Sequence, residues 1–309
     1  MEIIRHIDRC FAFPHPVVSL GNFDGVHVGH QTILRRLVQE ARRCQGTACV
    51  VTFHPHPLVV LRPEHPLALI CSVREKLSIF SSLGVDKVFL QRFTPAFAAL
   101  PPEEFVQRYL VEKMHVEKVI VGHSVSFGRQ RAGNAAILQE LGKQYGFAVE
   151  IIGPVKKDDL EVSSSAVRLL LSEGNMRTVA STLGRCYTLS GRVVKGFQRG
   201  RTIGFPTANL RPRENVLLPN GVYAVMVEVE GQTLPGVANI GMNPTFSLQH
   251  KTLEAHLFDF SGDLYGRRVT VSFVERLRGE RKFPSVDELV KQIQEDARQA
   301  RVLLLAPQP

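Results

Sequence analysis

Near residue 180 the hydrophobic pattern of the chain changes period, and that change confines it to two domains of different class. From Val17 to Gly153 short apolar runs alternate with amphipathic stretches, the order that a parallel sheet with crossover helices requires. Strands are expected at 17–20, 48–53, 87–90, 118–121 and 148–152. Helical spacing links Ile33, Leu34, Leu37, Val38 and Ala41, and again Phe105, Val106, Tyr109, Leu110 and Met114 behind Pro101 and Pro102. Another helix is expected at 163–171, capped by Ser163 or Ser164. Beyond Gly184 the texture becomes short β-rich runs at 188–194, 222–229, 253–258 and 269–273, punctuated by glycine and proline. That pattern predicts a compact antiparallel barrel or sandwich. A closing helix at 285–304 carries Leu289, Ile293, Ala297, Ala300 and Leu304 on one stripe, suited to packing against it. The expected domains are residues 1–183, α/β with a parallel sheet, and 184–309, an antiparallel β-barrel with a terminal helix.

No apolar stretch approaches the ~18 residues of a membrane span, and the first residues lack the apolar core of a signal peptide. A cytoplasmic protein with no membrane partner is therefore expected. The five cysteines, Cys10, Cys44, Cys49, Cys71 and Cys186, are scattered and form no C-x-x-C pair, which argues against a disulfide framework and a thiolate zinc site. The net charge of +9 favours anionic partners. Its excess is spread over both halves, and the one dense patch, Arg192, Lys195, Arg199 and Arg201, lies among glycines rather than on a basic arm. Nucleic acid is not expected as a partner; a homo-oligomer is left open.

After the first strand the chain reads Gly21-Asn22-Phe23-Asp24-Gly25-Val26-His27-Val28-Gly29-His30 and runs into an amphipathic helix. Glycines bring the backbone close to a ligand, and the helix N-terminus attracts phosphate. Two imidazoles three residues apart could donate to phosphate oxygens and stabilise departing pyrophosphate. The H-x-G-H pattern in this setting resembles the signature of the nucleotidyltransferase superfamily, which implies a Rossmann-like fold. Val162-Ser163-Ser164-Ser165-Ala166-Val167-Arg168 gathers hydroxyls at a helix start with an arginine one turn inside, a geometry for polyphosphate or for simple serine capping. Thr52-Phe53-His54-Pro55-His56-Pro57 offers two histidines without evident further metal ligands.

In the second half, residues 191–210 pack Gly191, Gly196, Gly200 and Gly204 together with four basic side chains, favourable to phosphate but without the spacing of a Walker loop. The motifs Gly204-Phe205-Pro206-Thr207-Ala208-Asn209-Leu210, Pro219-Asn220-Gly221-Val222-Tyr223-Ala224, Gly236-Val237-Ala238-Asn239-Ile240-Gly241-Met242-Asn243-Pro244-Thr245-Phe246 and Leu253-Glu254-Ala255-His256-Leu257-Phe258-Asp259-Phe260 closely resemble riboflavin kinase. The match continues through Asp263-Leu264-Tyr265-Gly266 and Leu277-Arg278-Gly279-Glu280-Arg281-Lys282-Phe283. With the first-half motifs, the whole chain resembles the bacterial bifunctional riboflavin kinase and FAD synthetase family.

That resemblance implies phosphorylation of riboflavin by ATP to FMN, then adenylylation of FMN by ATP to FAD and pyrophosphate. The partners would be riboflavin, FMN and ATP, with Mg²⁺ as cofactor. It implies Thr207 and Asn209 as Mg²⁺ ligands, Thr207 also at the ATP phosphates, and Glu254 as general base. Asn239, Arg278 and Phe283 would meet flavin. His27, His30 and Arg168 would serve adenylyl transfer. Gly21, Asn22, Phe23, Asp24, Gly29, Ser164, Ser165, Gly196 and Gly200 would line ATP sites. The chain departs from the family in Gly122-His123-Ser124-Val125-Ser126-Phe127-Gly128, where Ser124 replaces an Asp or Asn, and at Lys195, often histidine. A hydroxyl is a weaker charge partner than a carboxylate, so a riboflavin kinase with a weakened adenylyltransferase domain is the alternative. A nucleic-acid-directed nucleotidyltransferase and a flavin sensor without turnover are more distant rivals.

Overall fold

The computed structural model describes residues 1–9, 13–65, 67–196, 203–212, 216–242 and 251–305. The chain divides into two compact units, one formed by residues 1–67 and 71–163, the other by 68–70 and 164–309.

The first unit is built on six strands: β1 (Glu2–Arg5), β2 (Pro16–Leu20), β3 (Thr47–His54), β4 (Lys87–Arg92), β5 (Lys118–Gly122) and β6 (Ala148–Ile152). They pair in parallel, in the order β1-β4-β3-β2-β5-β6. Every residue of β2 and the first six of β3 are buried, because helices cover both faces of such a sheet and its central strands read as continuous apolar runs. The helices are α1 (Val28–Arg43), α2 (Pro57–Leu61), α3 (Val73–Ser82), α4 (Pro95–Ala98), α5 (Pro102–Phe105) and α6 (Ala135–Tyr145). The expected helix behind Pro101 is real, but beyond α5 it winds as a π-helix over Val106–Lys113. Strand order reverses at β2, whose neighbours are β3 and β5. That places a crevice at the carboxyl ends of β2 and β5, where open α/β sheets hold ligands.

The second unit begins with α7 (Ser164–Glu173) and α8 (Met176–Leu183), ahead of β9 (Tyr187–Val194), β10 (Ala208–Pro212), β11 (Gly221–Val229), β12 (Gln232–Met242), β13 (Lys251–Leu257) and β14 (Arg268–Arg278). A small hairpin of β7 (Lys156–Lys157) and β8 (Leu160–Glu161) precedes it in the first unit. The six antiparallel strands form a closed barrel, β10-β13-β12-β11-β14-β9, with β9 bonded to both β14 and β10. Between barrel and sandwich, the structure is a barrel. Leu189, Tyr223, Val225, Ile240, Leu253 and Phe273 fill its core.

The compact units part at Ser163/Ser164, earlier than the expected 183/184. The reason is packing: Val167 and Leu171 of α7 and Met176, Val179 and Leu183 of α8 belong to the same apolar cluster as the barrel interior. The terminal helix, α9 (Val286–Leu305), lays Ala297, Ala300 and Leu304 on an outer barrel patch of Val222, Ala224, Val237 and Phe258.

Candidate active sites

The first site grows from the loop between β2 and α1. Phe23 (φ 48°) and Val26 (φ 41°) both take the left-handed conformation, strain of the kind that clusters at functional loops. His27 caps α1, its Nδ1 accepting from the His30 backbone N–H at 3.3 Å; in the neutral ring this puts the proton on Nε2. The His27 and His30 rings stack at 3.6 Å between centroids and 18° between planes, and Phe23 meets His30 edge-on at 5.2 Å. A side chain at Gly29 would come within 3.2 Å of the His27 ring, so glycine there lets the imidazole lie along the helix start.

Burial, reinforced by His27 and then Lys76, holds the His30 pKa well below its ordinary 6.5. His30 is thus neutral at pH 7, and its Nδ1 is buried without a hydrogen-bond partner among the described residues. An orphaned polar atom of that kind, beside a helix N-terminus, suits an incoming phosphate.

Sequence reasoning missed the support beneath this loop. Lys76 of α3, only 6% exposed, donates to the Asn22 carbonyl at 2.6 Å, and Thr52 Oγ1 of β3 donates to the same oxygen at 3.2 Å. Burial lowers the Lys76 pKa, opposed by Cys71 and by Asp24, itself buried in the loop. The available signal was a lysine one helical turn before the buried Phe80 on the inward face of α3.

The 122–128 segment follows β5, on the other side of the strand-order reversal. Ser124 is exposed, and Ser126 Oγ accepts from Arg131 Nε at 3.0 Å. Ser164, Ser165 and Arg168 lie on α7 and belong to the second unit, where Arg168 Nε donates to the Ala68 carbonyl at 3.0 Å. His56 caps α2, its Nδ1 accepting from Leu58 N at 3.2 Å. Among the described residues, no three His, Cys, Asp or Glu side chains gather in a metal-holding group.

The second site is a product of strand register. Asn209 of β10 stands opposite Glu254 of β13, and Glu254 stands opposite Asn239 of β12. One row of three polar residues therefore crosses three strands, with Cβ atoms of each opposed pair ~5 Å apart. Their neighbours Leu210, Leu253, Ala255, Ala238 and Ile240 point into the core, so alternation sends the row outward. It borders a cavity of about 750 Å³ whose wall includes Thr207, Asn239, Glu254, His256, Arg278 and Phe283. A second cavity of about 460 Å³ is lined by Pro206, Thr207, Ala208, Asp263 and Tyr265 among others. Thr207 is common to both.

Gly196 lies against the row: a Cβ there would fall 2.4 Å from the Asn209 side chain. Gly200 lies outside the described residues. The Thr207 hydroxyl and Asn209 amide oxygen are hard donors, the type Mg²⁺ takes alongside phosphate oxygens and water. The Asn209 carboxamide packs against Gly196, in the place a side chain there would take, and its oxygen and the Thr207 hydroxyl are a donor pair whose chemistry fits such an ion.

Arg278 is held from behind. Asp296 of α9, 3% exposed, receives its Nε at 3.0 Å and Nη2 at 2.8 Å and also accepts from Gln292 at 2.9 Å. The guanidinium then lies 5.7 Å from the Phe283 ring centroid. Asp296 and Gln292 were not singled out from sequence; the trace was an acid beside the apolar stripe of the closing helix.

The chain thus pairs a parallel-sheet unit, with a strained loop at a helix start, with a closed barrel that carries an oxygen-donor row. A family model described as FAD synthetase matches residues 12–166, and one described as riboflavin kinase matches residues 183–304. Proteins named bifunctional riboflavin kinase/FMN adenylyltransferase are similar over nearly the whole chain. The one from Escherichia coli (strain K12) is 40% identical over 304 residues, 97% of each chain. The one from Buchnera aphidicola subsp. Acyrthosiphon pisum is 38% identical over 300 residues, 96% of each. A crystal structure described as a macrolide-efflux protein from Streptococcus pneumoniae superposes with a TM-score of 0.90 at 33% identity, covering 97% of this chain and 99% of that one; here, no helix among the described residues is long and apolar enough to cross a membrane. The chain belongs to the bifunctional riboflavin kinase/FMN adenylyltransferase family.

Proposed function

We propose that residues 184–309 phosphorylate riboflavin with ATP to give FMN, and that residues 1–183 adenylylate FMN with a second ATP to give FAD and pyrophosphate. Both family domains are present, which favours two activities over a kinase alone. The enzyme acts in the cytoplasm on riboflavin, FMN and ATP, with neither nucleic acid nor membrane as partner.

In the kinase reaction Glu254 accepts the proton of the ribityl 5′-hydroxyl as that oxygen attacks the γ-phosphorus and ADP departs. Thr207 and Asn209 would hold Mg²⁺, which would supply positive charge to offset that of the phosphates. Arg278, fixed by Asp296, and Phe283 contact the flavin together with Asn239.

In adenylyl transfer an FMN phosphate oxygen attacks the α-phosphorus of ATP and pyrophosphate leaves. That nucleophile is already anionic, so no base is needed. The chain's task is to hold the phosphates with loop 21–24, Gly29 and the α1 N-terminus and to donate hydrogen bonds from His27 and His30 as charge builds on the leaving group. Ser164, Ser165 and Arg168 are assigned to the same reaction through their match to the family motif.

The observation that carries this reading is the Asn209–Glu254–Asn239 row at the cavity shared with Thr207. The test is product analysis after mixing the protein with riboflavin, ATP and Mg²⁺. FMN followed by FAD is expected; FMN alone leaves a kinase, and no FMN removes the assignment of the barrel.

A further inference from the structure

His256 stands two residues beyond the proposed base, on the same outward face of β13, and none of the roles above uses it. Its Nδ1 lies 2.8 Å from the carbonyl oxygen of Pro206. A carbonyl can only accept, so Nδ1 carries the proton in this contact. The ring is also fixed laterally, edge-on to Phe205 at 5.4 Å and 76° and to Phe258 at 5.9 Å and 68°. Phe258 is in turn covered by the Arg301 guanidinium of α9 at 4.3 Å, and Arg301 pairs with Asp259. The next residue after Pro206 is Thr207, which borders both cavities. A line of contacts thus runs from α9 through Phe258 and His256 to the backbone immediately before Thr207.

We propose that His256 is a positioning residue for phosphoryl transfer: its Nδ1–H, donated to the Pro206 carbonyl, sets the place of Thr207 between the two cavities. The proposal rests on the kinase reading of the barrel. It concerns where the hydrogen-bond donor stands on the side chain, and not the charge of the ring. Displacing a reactive group by about 1 Å can cost ~100-fold in rate, so a single hydrogen bond at this point is enough to matter.

Two amides separate this role from mere occupancy of space. Asparagine places its side-chain N–H₂ near the position of Nδ1, whereas glutamine reaches toward that of Nε2. His256→Asn and His256→Gln are made in the full chain and assayed for FMN formation at varied ATP and Mg²⁺, with rates normalised to adenylylation of supplied FMN by the same preparation. The Asn variant is expected to keep the kinase kcat within about 5-fold of the parent. The Gln variant is expected to lose about 50-fold in kcat and to need more Mg²⁺ for half-maximal rate, as displacement of Thr207 requires. Equal losses in the two variants, or a better Gln than Asn, would overturn the proposal. If the parent makes no FMN from riboflavin, the kinase reading itself fails; if the parent is active and both variants match it, only the role of His256 falls.

Discussion

The two candidate phosphate sites are built from different materials. In the sheet unit the site is a loop at a helix start, made of backbone, two stacked imidazoles and a lysine buried beneath. In the barrel unit it is a row of oxygen-bearing side chains aligned by register and backed by a guanidinium held on α9. The difference follows the nucleophile. In the proposed reactions an FMN phosphate would arrive charged and need only its electrostatic surroundings arranged, whereas a hydroxyl must lose a proton. The first site's Asp24 is buried in its loop near Lys76, while Glu254 of the second stands in register with the amides of Asn209 and Asn239.

That contrast can be broken most sharply at Glu254. Glu254→Gln should lower riboflavin phosphorylation by about 10³-fold while the folded protein still adenylylates supplied FMN, both followed by chromatography of the flavins. Joint loss of the two activities in a folded variant would show that the sites are not independent. Next in size, His30→Ala should reduce adenylyl transfer by about 10²-fold, the cost of removing a hydrogen-bond donor aimed at developing charge, with FMN formation from riboflavin retained. Equal damage to the kinase would erase the distinction.

Gly196→Ala sharpens the comparison from the barrel side. Its methyl would meet the Asn209 amide at 2.4 Å, so kinase turnover should fall by about 10-fold, with a raised Mg²⁺ requirement in a metal titration. The smallest effect is on stability. The His30 pKa in the folded protein lies below its ordinary 6.5, so the unfolded chain binds the proton more readily; its contribution to stability is complete above 6.5 and is lost as pH falls below that value. His30→Gln should therefore flatten the decline in unfolding free energy between about pH 7 and pH 5 in denaturant titrations. An unchanged slope would mean that His30 is not held neutral.

Sequence reached the sheet unit more easily than the barrel, for a physical reason. Strands buried on both faces are uninterrupted apolar runs, and all five expected ones appear within a few residues of their predicted ends. The missing sixth, β1, has only Ile3 and Ile4 between charged residues and sits at the sheet edge. In the barrel, β12 escaped because Pro235, Gly236 and Gly241 interrupt its pattern, and β10 because it is short and ends on Pro212. The His27–His30 pair was visible from residue type and spacing alone. Asn209, Glu254 and Asn239 were recognisable only through family resemblance, since register between distant strands has no sequence period. Lys76, His256 and Asp296 bond to a distant backbone carbonyl or to a partner on another element. The local pattern marks at most that a charged residue sits on or beside an inward face, as for Lys76 and Asp296, and not which partner it meets.

Closure of the barrel through β9 has a further consequence. A ring of strands has no end from which to fray, whereas an open sheet can release its outermost strand first. Amide hydrogen exchange of the strand N–H groups in β9 to β14 should therefore follow one shared opening, and β1 should exchange ahead of the centre of its own sheet.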